Sequence, residues 1–217
     1  MEKDSTEYNK LNDKCIYRFF KRLTDIILSL FGILLILLFS LFIFVYYIFD
    51  KRDRGPIFFK QSRMGLHGET FYMYKFRSMV VNADEKLKEN PTLYKKYLEN
   101  NYKLEPRDDV RMTRIGTILR NTSIDELPQF LNVLKGDMSL VGPRPVVAVE
   151  LREYDAKKLL SVKPGIMGLW QAQGRSNIGY PQRADIEMDY VDNASYWFDL
   201  KVLLKNIIIV LKKDGAY

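Results

Sequence analysis

One cysteine and one histidine are all that this 217-residue chain offers toward disulfide frameworks and zinc sites. Cys15 has no second cysteine to pair with, which excludes an internal disulfide and fits a reducing compartment. Cys15 and His67 together cannot complete a zinc site of the usual four-ligand kind. His67 falls in Met64-Gly65-Leu66-His67-Gly68, a turn-like stretch that puts it at the surface. The chain also lacks a P-loop, a nucleic-acid-binding module, an internal repeat and a low-complexity linker. A net charge of +7 and a pI near 9.3 therefore point to anionic lipid and phosphorylated substrates, with no nucleic acid expected.

Charge itself is missing from Ile26 to Phe49. A helix of that length reaches about 36 Å, more than the roughly 30 Å hydrocarbon core of a bilayer. A signal peptide fits poorly, because its apolar core runs only about 7–15 residues and no small-x-small pattern follows Phe49. Both flanks are basic: Lys14, Arg18, Lys21 and Arg22 precede the run, and Lys51, Arg52, Arg54, Lys60 and Arg63 follow it. A spanning helix should have one flank poorer in Lys and Arg. A segment that enters and leaves by the same face resolves the conflict, so a re-entrant helix is expected.

The rest of the chain, mean hydropathy −0.21 overall, is about the size of one domain. The division expected is an N-terminal lead-in and membrane helix over 1–54 and one further domain over 55–217. Arg54-Gly55-Pro56 ends the apolar helix. Ile57-Phe58-Phe59 and Thr70 to Arg77 read as short extended segments around the Met64–Gly68 turn, either a hairpin or a surface loop. Asn82 to Leu104 reads as helix broken at Asn90-Pro91, and Val110 to Lys135 as helix on either side of Asn121-Thr122-Ser123, stopped by Gly136. Trp197 to Leu211, with Lys201, Lys205, Lys212 and Lys213 on or beside it, is amphipathic and basic. It suits either the domain core or the headgroup region, with the interface favoured. The fold class is thus mostly α with minor β, a membrane helix followed by a compact membrane-associated domain with amphipathic interfacial helices.

The chemistry concentrates in Arg120-Asn121-Thr122-Ser123-Ile124-Asp125-Glu126-Leu127-Pro128-Gln129 and in Gly136 to Pro145. Pro128 sits comfortably only in a first helical turn, which starts the helix near Ile124 or Asp125. Two carboxylates there can simply cap the helix. An ionised Asp with Arg120 a turn upstream is also a credible nucleophile toward a phosphoryl group, and a second carboxylate can help hold Mg²⁺. Arg144, fixed between two prolines, offers a planar fork to phosphate oxygens, or belongs to a rigid surface loop.

Lys75-Phe76-Arg77-Ser78-Met79, the Arg120–Gln129 block, Gly136 to Pro145 and Lys163-Pro164-Gly165-Ile166-Met167-Gly168-Leu169-Trp170-Gln171 occur together and in order. In this the chain resembles the bacterial sugar transferases, the monotopic polyprenyl-phosphate phosphoglycosyl transferases, from about Lys21 to its end. The resemblance implies transfer of a sugar-1-phosphate from a UDP-sugar to undecaprenyl phosphate with release of UMP, at the cytoplasmic face of the bacterial inner membrane. It implies Asp125 as nucleophile through a covalent sugar-phospho-aspartate and Glu126 as its metal-site or acid/base partner. Mg²⁺ would be held by both, Arg120 and Arg144 would lie near phosphate or nucleotide, and Lys75 and Arg77 would be further substrate-binding candidates. Membrane lipids, a second copy of the chain and downstream glycosyltransferases are the other partners implied. Two departures stand out: Leu41 follows Ser40 where the family has the proline of a Ser-Pro kink, and Met167 stands where Thr is common. Gly32 and Ser40 are then left to weaken or bend the helix. The rival readings are a non-enzymatic membrane-anchored scaffold and a membrane-associated transferase using CTP- or CDP-linked substrates.

Overall fold

The computed structural model describes residues 2–50, 53–99, 104, 109–174 and 178–212. Lys51, Arg52 and Lys213, and positions 100–103 of the expected 82–104 helix, lie outside the described residues. The chain begins with one helix, α1 (Glu2–Phe49), followed by the hairpin β1 (Phe58–Met64) and β2 (Thr70–Phe76). Short helices follow: α2 (Ala83–Lys88), α3 (Pro91–Glu99), α4 (Arg114–Asn121) and α5 (Gln129–Lys135). Then come β3 (Ser139–Val141), α6 (Ala156–Leu159), β4 (Gly165–Met167), α7 (Gln182–Asn193) and α8 (Tyr196–Lys212). The mostly helical expectation with minor strand holds. The open choice at residues 57–77 resolves to a hairpin, with Phe58 opposite Phe76 and Met64 opposite Thr70. His67 closes its turn, exposed and in the left-handed region at φ 56°. Asn90-Pro91 separates α2 from α3 as read, and Gly136 ends α5 at φ 95°.

The expected break in the apolar helix is not there. α1 runs uninterrupted through Gly32 and Ser40, and the Ser40 hydroxyl has no hydrogen-bond partner to bend it. Without proline, every residue keeps its N–H for the helical ladder, so nothing forces a kink. Gly32 serves close packing instead. A Cβ there would come within 2.2 Å of the Phe130 ring, so α1 and α5 approach as far as glycine allows. α1 is long and apolar enough, by length and composition, to cross a membrane. Yet it presents a stripe to the domain: Asp25, Ser29, Ile36, Ile43 and Tyr47 are buried, at the spacing of one helical face. Phe31, Leu34, Leu37, Leu41, Phe42 and Phe44 on its other faces are exposed.

Two apolar clusters hold the domain. One joins Met73, Val133, Met138, Leu140, Ile166, Tyr190 and Val202, with Leu28 of α1 against it. The other joins Ile36, Ile43 and Tyr47 of α1 to Phe76 and Leu119. Both therefore draw on residues from each side of the 54/55 division. The cations before the apolar run are partly spent on this packing. Lys21 Nζ meets Asp199 Oδ2 at 2.5 Å, and Arg22 donates to the carbonyls of Val133 and Leu134 at 2.6 and 2.8 Å. Those carbonyls end α5, where a cation also meets the negative end of the helix dipole. α8 packs through Asp199, Val202 and Asn206, while Trp197, Lys201, Leu204, Lys205, Ile207 and Ile208 stay exposed. Its core face bears out packing on the domain, and its other face leaves apolar side chains exposed.

Candidate active site

Between α4 and α5 the chain turns twice. Ser123 adopts φ 57°, and Ile124–Glu126 form a single 3-10 turn. Leu127 and Pro128 stay right-handed, at φ −52° and −59°, and α-helical bonding begins only at Gln129. The acid pair therefore precedes α5 rather than opening it: its turn closes with i→i−3 bonds, from the Glu126 N–H to the Ser123 carbonyl at 3.3 Å and from the Leu127 N–H to the Ile124 carbonyl at 3.1 Å. The Ser123 side chain makes no capping hydrogen bond, so any capping at this turn falls to the carboxylates themselves, and a backbone N–H does act on Asp125.

Asp125 is buried, 7% exposed, whereas Glu126 is half-buried. Burial pushes the Asp125 carboxyl up to about 6; Glu126 adds to the rise, while Lys75 and Arg120 hold it down. Lys75 reaches across from β2 to Glu126, Nζ to Oε1 at 2.8 Å. β2 is held in place by Asn132 of α5, which is fully buried. Its side-chain Oδ1 accepts from the Tyr74 N–H at 3.0 Å, and its Nδ2 donates to the Tyr72 carbonyl at 2.8 Å. The amide thus stands in for a neighbouring strand on the free edge of β2 and fixes the strand that carries Lys75.

Four of the six expected site residues, Lys75, Arg120, Asp125 and Glu126, come together here. Arg77 does not join them. It donates to the carbonyls of Pro56, Met79 and Asp53 and to the Tyr47 hydroxyl, between 2.6 and 2.9 Å, so it ties the hairpin to α1 instead of facing a ligand. Arg144 lies apart, over the Trp170 ring at 5.8 Å, with its backbone N–H donating to Glu187 Oε1. Arg63, Arg183 and Glu187 were not among the expected residues. Arg63 appears in the sequence only as one more flanking cation, and Arg183 and Glu187 carry no motif of their own.

The model of the family described as bacterial sugar transferase matches residues 16–213. The chain belongs to the bacterial sugar transferase family. It is 45% identical over 205 residues to an undecaprenyl-phosphate galactose phosphotransferase of Salmonella typhimurium, covering 92% of this chain and 42% of that one. It is 41% identical to an exopolysaccharide production protein of Sinorhizobium fredii, covering 91% and 88%. A UDP-glucose:undecaprenyl-phosphate glucose-1-phosphate transferase of Klebsiella pneumoniae is 34% identical, over 91% of this chain and 41% of that one. The chain thus spans less than half the length of the first of these relatives.

Proposed function

We propose that this protein is a phosphoglycosyl transferase that moves a sugar-1-phosphate from a UDP-sugar to undecaprenyl phosphate. The observation that carries the reading is the buried Asp125 carboxyl, next to Glu126 and between the charges of Lys75 and Arg120, in a chain of this family. An Asp125 oxygen attacks the phosphorus that bears the sugar, and the bond to the bridging oxygen breaks to release UMP. An oxygen of undecaprenyl phosphate then attacks the same phosphorus, and the Asp125 carboxylate leaves. With its carboxyl at about 6, Asp125 is roughly ten to one ionised at pH 7, yet more basic than an exposed aspartate. Lys75 neutralises Glu126 and keeps the pair from repelling an incoming diphosphate.

Among the described residues no group of three or more His, Cys, Asp or Glu converges to cage a metal. Two carboxylates nevertheless suit Mg²⁺, which commonly takes one or two from protein and the rest from substrate phosphates and water. Asp125 and Glu126 would hold it, and it would offset charge on the diphosphate. Membrane attachment follows on this reading from the exposed apolar faces of α1 and α8, where Phe19, Phe20 and Trp197 are exposed, as are Lys201 and Lys205. The product would start a bacterial surface polysaccharide. Relatives named for galactose and for glucose leave the sugar open.

The test is UMP release by purified protein with undecaprenyl phosphate, Mg²⁺ and a panel of UDP-sugars. Wild type is expected to release UMP from at least one donor and to trap a sugar-phosphate adduct when the lipid is withheld. Asp125→Asn is expected to do neither, and turnover by that variant would sink the assignment. Absence of UMP release from every donor favours a scaffold.

A further inference from the structure

Beyond the acid pair the described residues hold a second concentration of charge. Arg144 and Arg183 both lie over the Trp170 indole, at 5.8 and 4.3 Å, and Arg183 also faces the Tyr180 ring at 5.1 Å. Arg63, at the end of β1, feels both of these guanidinium groups. Arg63 and Arg183 are 8% and 6% exposed. A guanidinium has five N–H donors and no acceptor, so burial normally comes with several partners. Arg77, equally buried at 6%, meets that demand with four hydrogen bonds. Here the demand is met only in part: Arg63 Nη2 donates to Gln61 Oε1 at 2.7 Å, but Arg183 Nε and Nη2, Arg63 Nε and Trp170 Nε1 are buried without a partner.

The neighbouring acids do not compensate. Glu150 approaches Arg63 Nη1 only to 3.6 Å, and its Oε2 also accepts from the Val147 N–H. Glu187, fully buried, spends Oε1 on the Arg144 backbone N–H and leaves Oε2 unpartnered. Burial pushes Glu187 up to about 7, so near neutral pH it supplies only part of a negative charge. Arg63 in turn is lowered to about 10, by burial first and by Arg144 next. Three cations thus share too few anions, with several buried donor atoms left unsatisfied. That pattern fits an anion with several oxygens, whose tetrahedral edges accept two N–H groups from one guanidinium fork. The cluster also shares its field with the acid pair, since Glu126 acts electrostatically on Arg63.

We propose that Arg63 and Arg183, with Arg144, form a cradle for a phosphoryl anion, Arg183 being held on the Trp170 face so that its Nε and Nη2 edge meets the phosphate oxygens. Trp170 offsets the crowding of two cations through its ring. The cradle's place in the reaction rests on the function proposed above. There the anion is either the diphosphate of the donor or the phosphate monoester of the lipid.

The experiment compares full-length wild type with Arg183→Lys, which keeps the charge and loses the fork, and with Arg183→Gln. Thermal unfolding in EDTA is titrated with inorganic pyrophosphate, a readout independent of turnover. Pyrophosphate is expected to stabilise wild type, to bind Arg183→Lys about tenfold more weakly, and to leave Arg183→Gln unprotected. Rapid-quench assays then separate the two sources. If the cradle holds the donor, Arg183→Lys slows the UMP burst about tenfold. If it holds the lipid phosphate, the burst stays intact and discharge of the adduct slows by that factor. Equal pyrophosphate protection of all three proteins, with both half-reactions at the wild-type rate, overturns the proposal. A wild type that releases no UMP from any donor removes the enzymatic reading alone; the pyrophosphate titration still decides the cradle.

Discussion

Replacing Asp125 by Asn should remove activity and at the same time make the protein more stable. Asp125 is buried, and its carboxyl sits at about 6 instead of 3.8. An acid whose folded value is raised holds, between those two pH values, a proton that the unfolded chain has already released. Stability therefore falls as pH rises through that window, and above it the ionised form carries a cost of about 3 kcal/mol. Asn is neutral throughout and escapes this cost, at the loss of some hydrogen bonding worth about 1 kcal/mol. The net gain at pH 7.5 should be about 2 kcal/mol, or roughly 4–8 °C in Tm for a chain of this length. Near pH 4 the gain should vanish, because both proteins are then neutral at this position. The measurement is thermal unfolding of detergent-solubilised wild type and Asp125→Asn, with EDTA, at half-unit steps from pH 4 to 8. A variant less stable than wild type at pH 7.5, or a difference that ignores pH, would refute the argument that the fold carries an unfavourable charge at this carboxylate.

Lys75→Met removes the largest influence that holds the Asp125 carboxyl down, so the acid limb of the pH–rate profile should move to higher pH. Initial rates of UMP release from pH 5.5 to 9 check this, and the deficit should be larger at pH 6.5 than at 8.5; a profile that keeps its shape contradicts it. Asn132→Leu leaves the Tyr74 N–H and Tyr72 carbonyl unpaired on the edge of β2, and should cost about 2–4 kcal/mol by denaturant unfolding. A loss under about 0.5 kcal/mol would mean that the strand edge finds other partners.

Much of the fold was legible because it follows from local chemistry. The turn at Met64–Gly68, the break at Asn90-Pro91 and the stop at Gly136 each rest on residues whose backbone preferences leave little choice. The acid pair was legible through its motif, but its setting was not. The 3-10 turn depends on a left-handed Ser123, which no propensity favours, and the Lys75–Glu126 contact joins residues far apart in sequence. Arg77 shows the opposite failure. A basic residue in a motif looks like a ligand group until its carbonyl partners at Asp53, Pro56 and Met79 are seen. Arg183 and Glu187 were invisible because their significance lies in the partners they lack.

The charge pattern that suggested a re-entrant helix takes a different meaning once α1 is seen against the domain. Lys21 and Arg22 are tied to Asp199 and to the end of α5, and Arg63 is buried, so these three cannot also serve as lipid-facing charges. Exposed cations still remain on both flanks, Lys14 and Arg18 before the apolar run, Arg54 and Lys60 after it. The domain contacts α1 from Tyr17, bonded to Asp199, to Tyr47, bonded to Arg77. At about 1.5 Å per residue that is about 45 Å of helix, longer than a bilayer core is thick. Were α1 to cross perpendicular to the membrane, the domain would have to cross beside it. Ile124 and Leu127, which flank the acid pair, pack in the same cluster as Ile36 and Ile43 near the middle of the apolar run. Asp125 and Glu126 would then lie deep in hydrocarbon, where an ionised carboxylate costs several kcal/mol and no polar molecule could readily reach it. A helix lying obliquely or along one leaflet, apolar faces down and domain above, avoids that cost. It keeps both basic flanks on the same side, so the absence of a kink at Ser40-Leu41 is no obstacle to a one-sided attachment.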